Sequence, residues 1–319
     1  MLHLQTDRGS MSTLTARLFD HDIQPGSEEW LRYGSASKVA AILGLSNWES
    51  EYSLWFKMAG ILEPEPQTDE QARGHYLEPA ISHWFTDQHP EFQVFKTRPW
   101  QHTERTWQTA DPDRMLCPAG PKLYVPTAAL ECKTAADLDT WGPDFSDEYP
   151  PGYRAQAMWQ MDTIGIRRIY LAVLLPYLQF RQYVIDYDEA EAASHRQKFR
   201  EFLDTLPGGP NEKRPEIDGH DETYKAVRRM HPDIGTEVYE FPDDDPLADE
   251  YKAANAAHKA SEAEKRRVSA LVTERARGYR QVKYRGQVIA TRVPGRGAGA
   301  PPTLRATPVP KTHKKEMAA

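Results

Sequence analysis

The sequence predicts an α+β domain over residues 25–206, with helices packed on a mixed central sheet, and three observations carry that prediction. Apolar residues recur at helical spacing between 37 and 88. Short alternating, β-rich runs follow from 92 to 134, and helix, two strands and helix return between 151 and 206. Helical and sheet segments grouped in this order suit a sheet covered by helices rather than a bundle or a barrel.

In chain order, residues 1–24 read as a loosely held N-terminal arm. In SEEWLRYGSASKVAAILG the apolar positions Val39, Ile42 and Leu43 follow the cap candidate Ser37, so a helix is expected to begin there. A second helix is expected over 50–59 (Tyr52, Leu54, Trp55, Met58), closed by Gly60. A third, over 69–88, places Tyr76, Ile81, Trp84 and Phe85 on one broad apolar side with Glu78 in its middle. FQVFKTRPW, TWQTA, RMLC, LYV and AALECKT then read as strands of a small sheet, punctuated by Pro112, Gly120 and Pro126. Residues 151–165 return to helix, YLAVLLPYLQFRQYVIDY gives two strands, and EAEAASHRQKFREFLDTL a helix ending before Pro207. Residues 207–246 read as a connector holding a short helix near 221–230. The stretch 247–293 reads as a long helix, closed near Gly278, followed by a hairpin turning at Arg285 and Gly286. Residues 294–319, rich in Pro, Gly and Lys, are expected to be a disordered basic tail.

Composition narrows the class. The 319 residues are 39% hydrophobic, with 8 Trp and 15 Tyr, which is enough for a real core. No apolar run approaches the roughly 20 residues of a membrane span, and residues 1–20 have no apolar segment of the signal-peptide kind, so the cytoplasm is the expected compartment. Two cysteines, Cys117 and Cys132, are too few for a disulfide framework or a four-cysteine metal centre and read as small buried hydrophobes. The net charge of −7 is unevenly spread: residues 265–319 hold 14 Lys and Arg against Glu274 and Glu316, a local +12, which leaves −19 on the rest. An acidic body with a basic end suits an electrostatic arm for a polyanion or an acidic partner.

One constellation carries chemistry. Hydrolysis of a phosphodiester at neutral pH uses a divalent ion held by hard oxygen ligands, and Mg²⁺ typically takes one or two carboxylates while keeping several waters. DPDR (111–114) precedes a predicted strand and LECKT (130–134) lies in the next. Residues two apart on a strand share a face, so Glu131 and Lys133 project together while Cys132 points into the core. A carboxylate can then hold metal while the neighbouring ammonium orients water or stabilises an anionic transition state. Both charges sit among apolar or small residues, where an unpaired carboxylate would be costly. Trp30, Trp55 and Trp159 read as core residues rather than base-stacking platforms.

These stretches resemble a known family. LRYGSASKVAAILG (31–44), GHYLE (74–78), DPDR, LECKT and YRAQAMWQM (153–161) stand in the order and roughly the spacing of the YqaJ-type viral recombinase family, the phage lambda exonuclease group of the PD-(D/E)xK nuclease superfamily. The resemblance implies a PD-(D/E)xK, restriction-endonuclease-like core with a C-terminal helical and hairpin extension. It makes Glu78 a helix-borne metal carboxylate, Asp113 the motif aspartate, Glu131 and Lys133 the E-x-K pair, and Gln156 the glutamine near the active site. Mg²⁺, with Mn²⁺ as substitute, is implied at two ions per site on Glu78, Asp113 and Glu131. Relatives grip a 5′-terminal phosphate with an arginine and two hydroxyls; Arg32 and Ser37 match two of these, but Asp111 stands where the second serine would be, and Arg114 replaces a glycine. The implied function is 5′-to-3′ double-strand exonuclease action leaving 3′ tails for recombination, encoded by a phage or prophage. A single-strand annealing protein and a ring-shaped homotrimer are implied with it. From the residues alone, a PD-(D/E)xK endonuclease and a non-catalytic DNA-binding factor stay open.

Overall fold

The computed structural model describes residues 14–120, 125–295, 297 and 299–307, which divide into two compact units, residues up to Asp233 and residues from Ile234. Among the described residues no helix is long and apolar enough to cross a membrane.

The first unit is built on a five-stranded sheet in the order β3 (Phe92–Lys96), β6 (Arg114–Pro118), β7 (Ala128–Thr134), β8 (Arg168–Leu175), β9 (Gln179–Asp186). Only the β7–β8 pair is parallel. A parallel pair needs a crossover, and α5 (Pro151–Ile164) supplies it. Alternation along β8 then assigns the two faces of the sheet. Ile169, Leu171, Val173 and Leu175 pack with Met158 and Met161 of α5, while Tyr170, Ala172 and Leu174 pack with Ile81 and Phe85 of α4 (Asp69–Gln88). The same alternation in β7 turns Leu130 and Cys132 toward α4. Glu131 and Lys133 therefore face α5.

A second sheet, in the order β1 (Ala16–Leu18), β4 (Trp100–His102), β5 (Gln108–Ala110), β2 (Gly34–Ser35), lies in the same unit. A third apolar cluster joins α2 (Ala36–Ile42), α3 (Glu51–Met58), α5, α6 (Glu189–Asp204) and α7 (Asp221–Met230) around Trp55, Trp159, Phe199 and Ala226. Trp159 is at its centre: its indole N–H donates to the carbonyls of Gly34 and Thr109, both at 3.1 Å. A Cβ on Gly34 would come within 2.9 Å of the Phe199 ring, so the glycine of LRYG is needed for packing.

Apart from the LYV strand, the helices and strands expected from 50 to 206 are present, and α4 has the expected bounds; Val125 is not in a strand. Residues 123 and 124 of the expected LYV strand lie outside the described residues, as do residues 1–13 and 308–319. Three expectations about this unit are corrected. The arm is not loose throughout, because Ala16–Leu18 pairs with β4 and Thr15 N–H donates to the carbonyl of Ile164. The helix after LRYG begins at Ala36 with Ser35 at the cap position, so Ser37 is inside its first turn, and a separate short helix α1 (Glu28–Arg32) precedes it. The connector helix is part of the first unit, where Thr223 donates from Oγ1 to Ser50 Oγ at 2.8 Å in a buried contact.

The second unit contains α8 (Pro246–Ala276) and an antiparallel sheet of β10 (Gln281–Tyr284), β11 (Gln287–Val293) and β12 (Thr303–Ala306). Asp245 caps α8 by accepting from Leu247 N–H, and Pro246 begins it without wasting a donor. The hairpin turns where expected: Arg285 and Gly286 both have positive φ, 49° and 81°, the geometry that two-residue hairpin loops require. The tail is not disordered from residue 294 onward, since Thr303–Ala306 pairs with β11.

Candidate active site

The site is assembled where β6 and β7 diverge from the cover of α5. Arg114 stands opposite Leu130, which brings Asp113 level with Glu131 on the neighbouring strand. Asp113 accepts from the Cys132 N–H at 2.6 Å through Oδ2, so the loop before β6 is tied to the strand that carries the E-x-K pair. Glu131, 4% exposed, is held from three directions. Its Oε1 accepts from Lys133 Nζ at 2.5 Å and from Gln156 Nε2 at 2.6 Å, and its Oε2 from Gln160 Nε2 at 2.9 Å. Gln156 and Gln160 are one helical turn apart on α5, so both amides present to the same strand.

The electrostatics favour a bound cation. Burial, and then the charge of Glu131, raises the pKa of Asp113 well above the carboxylate range. Asp111 is pushed to about 7 by burial and by Glu131, Asp22 and Glu78. Burial works against the charge on Lys133, but Glu131 and Asp113 outweigh it and lift its pKa above that of an ordinary lysine. Lys133 therefore stays an ammonium, 5.2 Å from the centre of the Tyr153 ring, and acts as a positioned cation rather than a base. Crowded buried carboxylates with hard oxygen donors are what Mg²⁺ relieves, and Asp113 with Glu131 meets its usual demand for one or two of them.

Glu78 does not join them. It lies on α4, and its Oε1 is 2.5 Å from Nη1 of Arg114 in an ion pair whose side chains are 12% (Arg114) and 23% (Glu78) exposed. Among the described residues no three His, Cys, Asp or Glu side chains are arranged to hold a metal ion. Glu78 is still close enough for its charge to raise the pKa of both Asp113 and Asp111.

A cavity of about 200 Å³ opens onto Asp113, Glu131, Gln156 and Gln160, and its rim includes Asp111, Ser35, Ser37 and Trp30. Ser37 and Asp111 both line this cavity. Arg32 is not: its side chain is 73% exposed, 3.8 Å from Glu28, and it borders a separate depression with Asp22 and Glu29. Trp55 and Trp159 are core residues, but Trp30 borders the cavity and carries the Lys38 ammonium 3.8 Å from its ring centre. Lys38, buried and pushed down to about 7 by burial, also donates to the carbonyls of Trp30 and Tyr33, which fastens α1 to α2 beside the cavity. Both cysteines are buried and their thiols are raised by burial, as small hydrophobes should be.

Gln160 and Lys38 were missed from sequence. Gln160 had a signal, its spacing of four from Gln156 on a helix. Gln160→Leu is expected to lower turnover by about 10–100-fold at saturating metal, the cost of roughly 1–3 kcal/mol for withdrawing a buried partner from Glu131. The comparison that checks it is kcat for this variant against wild type, with circular dichroism to establish that α5 is intact.

With this geometry in place, comparison with known proteins gives concordant relatives. Residues 30–167 match the YqaJ-like viral recombinase domain. The chain is 26% identical over 231 residues to the uncharacterized protein YqaJ of Bacillus subtilis, covering 69% of this chain and 68% of that one. Among solved structures it resembles an alkaline exonuclease from Laribacter hongkongensis, at 19% identity and a TM-score of 0.44, covering 65% of this chain and 99% of that one. A phage-related exonuclease from Haemophilus somnus matches at 15% identity and a TM-score of 0.42, covering 55% and 95%. The chain is thus similar to YqaJ-like viral recombinase domains over residues 30–167.

Proposed function

We propose that this chain is a metal-dependent deoxyribonuclease, a 5′-to-3′ exonuclease acting on double-stranded DNA ends and leaving 3′ single-stranded tails for phage-type recombination inside a bacterial host cell. The observation that carries the reading is the convergence of Asp113, Glu131 and Gln156 on one cavity that Ser37 also lines, with Lys133 bonded to Glu131. A divalent ion held at Asp113 and Glu131, Mg²⁺ with Mn²⁺ as substitute, would supply Lewis acidity toward water and phosphate. The chain's own residues do the rest. Gln156 and Gln160 fix the Glu131 carboxylate, so it does not reorganise during reaction. The Lys133 ammonium orients the attacking water and offsets charge on the scissile phosphate. Ser37, in the cavity lining, would donate to a terminal phosphate entering it. The family's recombination setting supports a single-strand annealing protein as partner and a ring-shaped trimer as the working assembly.

Linear duplexes labelled at either end test this reading. Metal-dependent release of nucleotides from 5′ strands, with covalently closed circles left intact, is the expected result. Cleavage of closed circles would make the enzyme an endonuclease instead, and binding without nucleotide release a non-catalytic factor.

Asp111 sets a further expectation. Above pH about 7, where Asp111 is ionised, its carboxylate in the cavity lining repels a phosphate dianion, and one like charge at close range near a surface is worth roughly 1–4 kcal/mol. This enzyme should therefore discriminate weakly between 5′-phosphorylated and 5′-hydroxyl ends. Asp111→Ser should raise the preference for phosphate by about tenfold or more. A strong phosphate requirement in the wild-type enzyme would show that Asp111 does not face the terminal phosphate.

A further inference from the structure

The site proposed above leaves one buried cation unexplained. Arg114 lies on β6 opposite Leu130, on the face of the sheet that α4 covers, and its Nη1 reaches both Glu78 Oε1 at 2.5 Å and the Asp113 carbonyl at 2.6 Å. This is no rim contact, because the arginine is only 12% exposed. A guanidinium is a fixed positive charge, so the Glu78 carboxylate already has a cation beside it. A divalent ion bound to the same carboxylate would have to stand beside a fixed positive charge or expel it. Asp113 and Glu131 lie on the other side of this contact, facing the cavity and α5, and have no arginine partner among the described residues.

We propose that Arg114 stands in for one of two divalent ions: its guanidinium holds Glu78, and the site loads a single ion on Asp113 and Glu131. The inference rests on the assignment of Asp113 and Glu131 as ligands and extends it to the number of ions. It makes Glu78 a positioning residue in this chain, anchoring Arg114 and through it the Asp113 backbone, rather than a ligand. Fixed positive charge beside the motif aspartate then replaces charge that a second ion would bring.

Titration of the full-length protein with Mn²⁺, with free ion read by electron paramagnetic resonance, counts ions without reference to activity. Wild type should bind one ion per chain, and Glu78→Gln should bind the same number. Arg114→Gly should gain a second ion, which the double variant Arg114→Gly with Glu78→Gln should lose again. Two ions on wild type, falling to one in Glu78→Gln, would overturn the proposal, and so would a folded Arg114→Gly protein that still binds one. Should Arg114→Gly fail to fold, Arg114→Gln keeps most of the side chain without the charge and carries the same expectation. Glu131→Gln separates the two levels of inference, for undiminished binding in that variant removes the ligand assignment itself, whatever Arg114 does.

Discussion

Glu131→Gln is expected to lower metal-dependent cleavage by about 10³-fold or more while leaving the chain folded. The substitution keeps the shape of a side chain that is 4% exposed, so the hole left by alanine is avoided and lost activity can be read as lost chemistry. What disappears is the charge that binds metal and accepts from Lys133, Gln156 and Gln160. An amide in its place offers one oxygen where two were used. Asp113→Asn should fall as far, because its other oxygen is needed by the Cys132 N–H. Lys133→Met should cost about 10²–10³-fold, the usual range for one electrostatic group aimed at developing charge. Metal affinity divides the three variants: the two carboxylate changes should weaken it, whereas Lys133→Met should not. Full activity in either carboxylate variant, in protein free of contaminating nuclease, would remove the site.

Much of this arrangement was legible because it depends on short-range periodicity. Period two along LECKT is sufficient to put Glu131 and Lys133 on one face and Cys132 on the other, and burial of Cys132 against Phe85 and Tyr170 agrees with it. Helical spacing in 69–88 gave α4 its bounds because capping and apolar pattern agree there: Thr68 and Gln71 form a capping box ahead of Ile81 and Phe85. What failed to show in the sequence depends on which face meets which partner over long separations. Arg114 and Glu78 are 36 residues apart, and their pairing follows from the docking of α4 on the face of the sheet that carries Arg114, which no local pattern encodes. Arg32 matches a motif by position, yet α1 turns it toward Glu28 and away from the cavity. The pairing of Ala16–Leu18 with β4 and the docking of α7 through Thr223 are likewise non-local, and polar composition made both segments read as linkers.

Removal of residues 234–319 should flatten the salt dependence of DNA binding while leaving turnover at saturating DNA in place. The first unit ends at Asp233 and has its own sheets and apolar clusters, so it should remain folded without the rest. The segment removed includes α8, which has no buried residue, and the +12 of residues 265–319. If about six of those cations contact phosphates, the slope of log affinity against log salt steepens by roughly 5 in the intact chain, and affinity between 50 and 200 mM salt changes by about 10³-fold. The truncated chain should lose that component and should load poorly on DNA at moderate salt. Its kcat should hold, since Asp113, Glu131, Lys133 and Gln156 all belong to the first unit. Fluorescence anisotropy on a labelled duplex across a salt series measures the slope directly. An unchanged slope, together with loss of co-purification with a single-strand annealing protein, would make the segment a protein-docking arm and end its role in DNA binding. Loss of soluble protein would defeat both roles, for it would mean that α8 and the β10–β12 sheet complete the fold or an interface between copies of the chain.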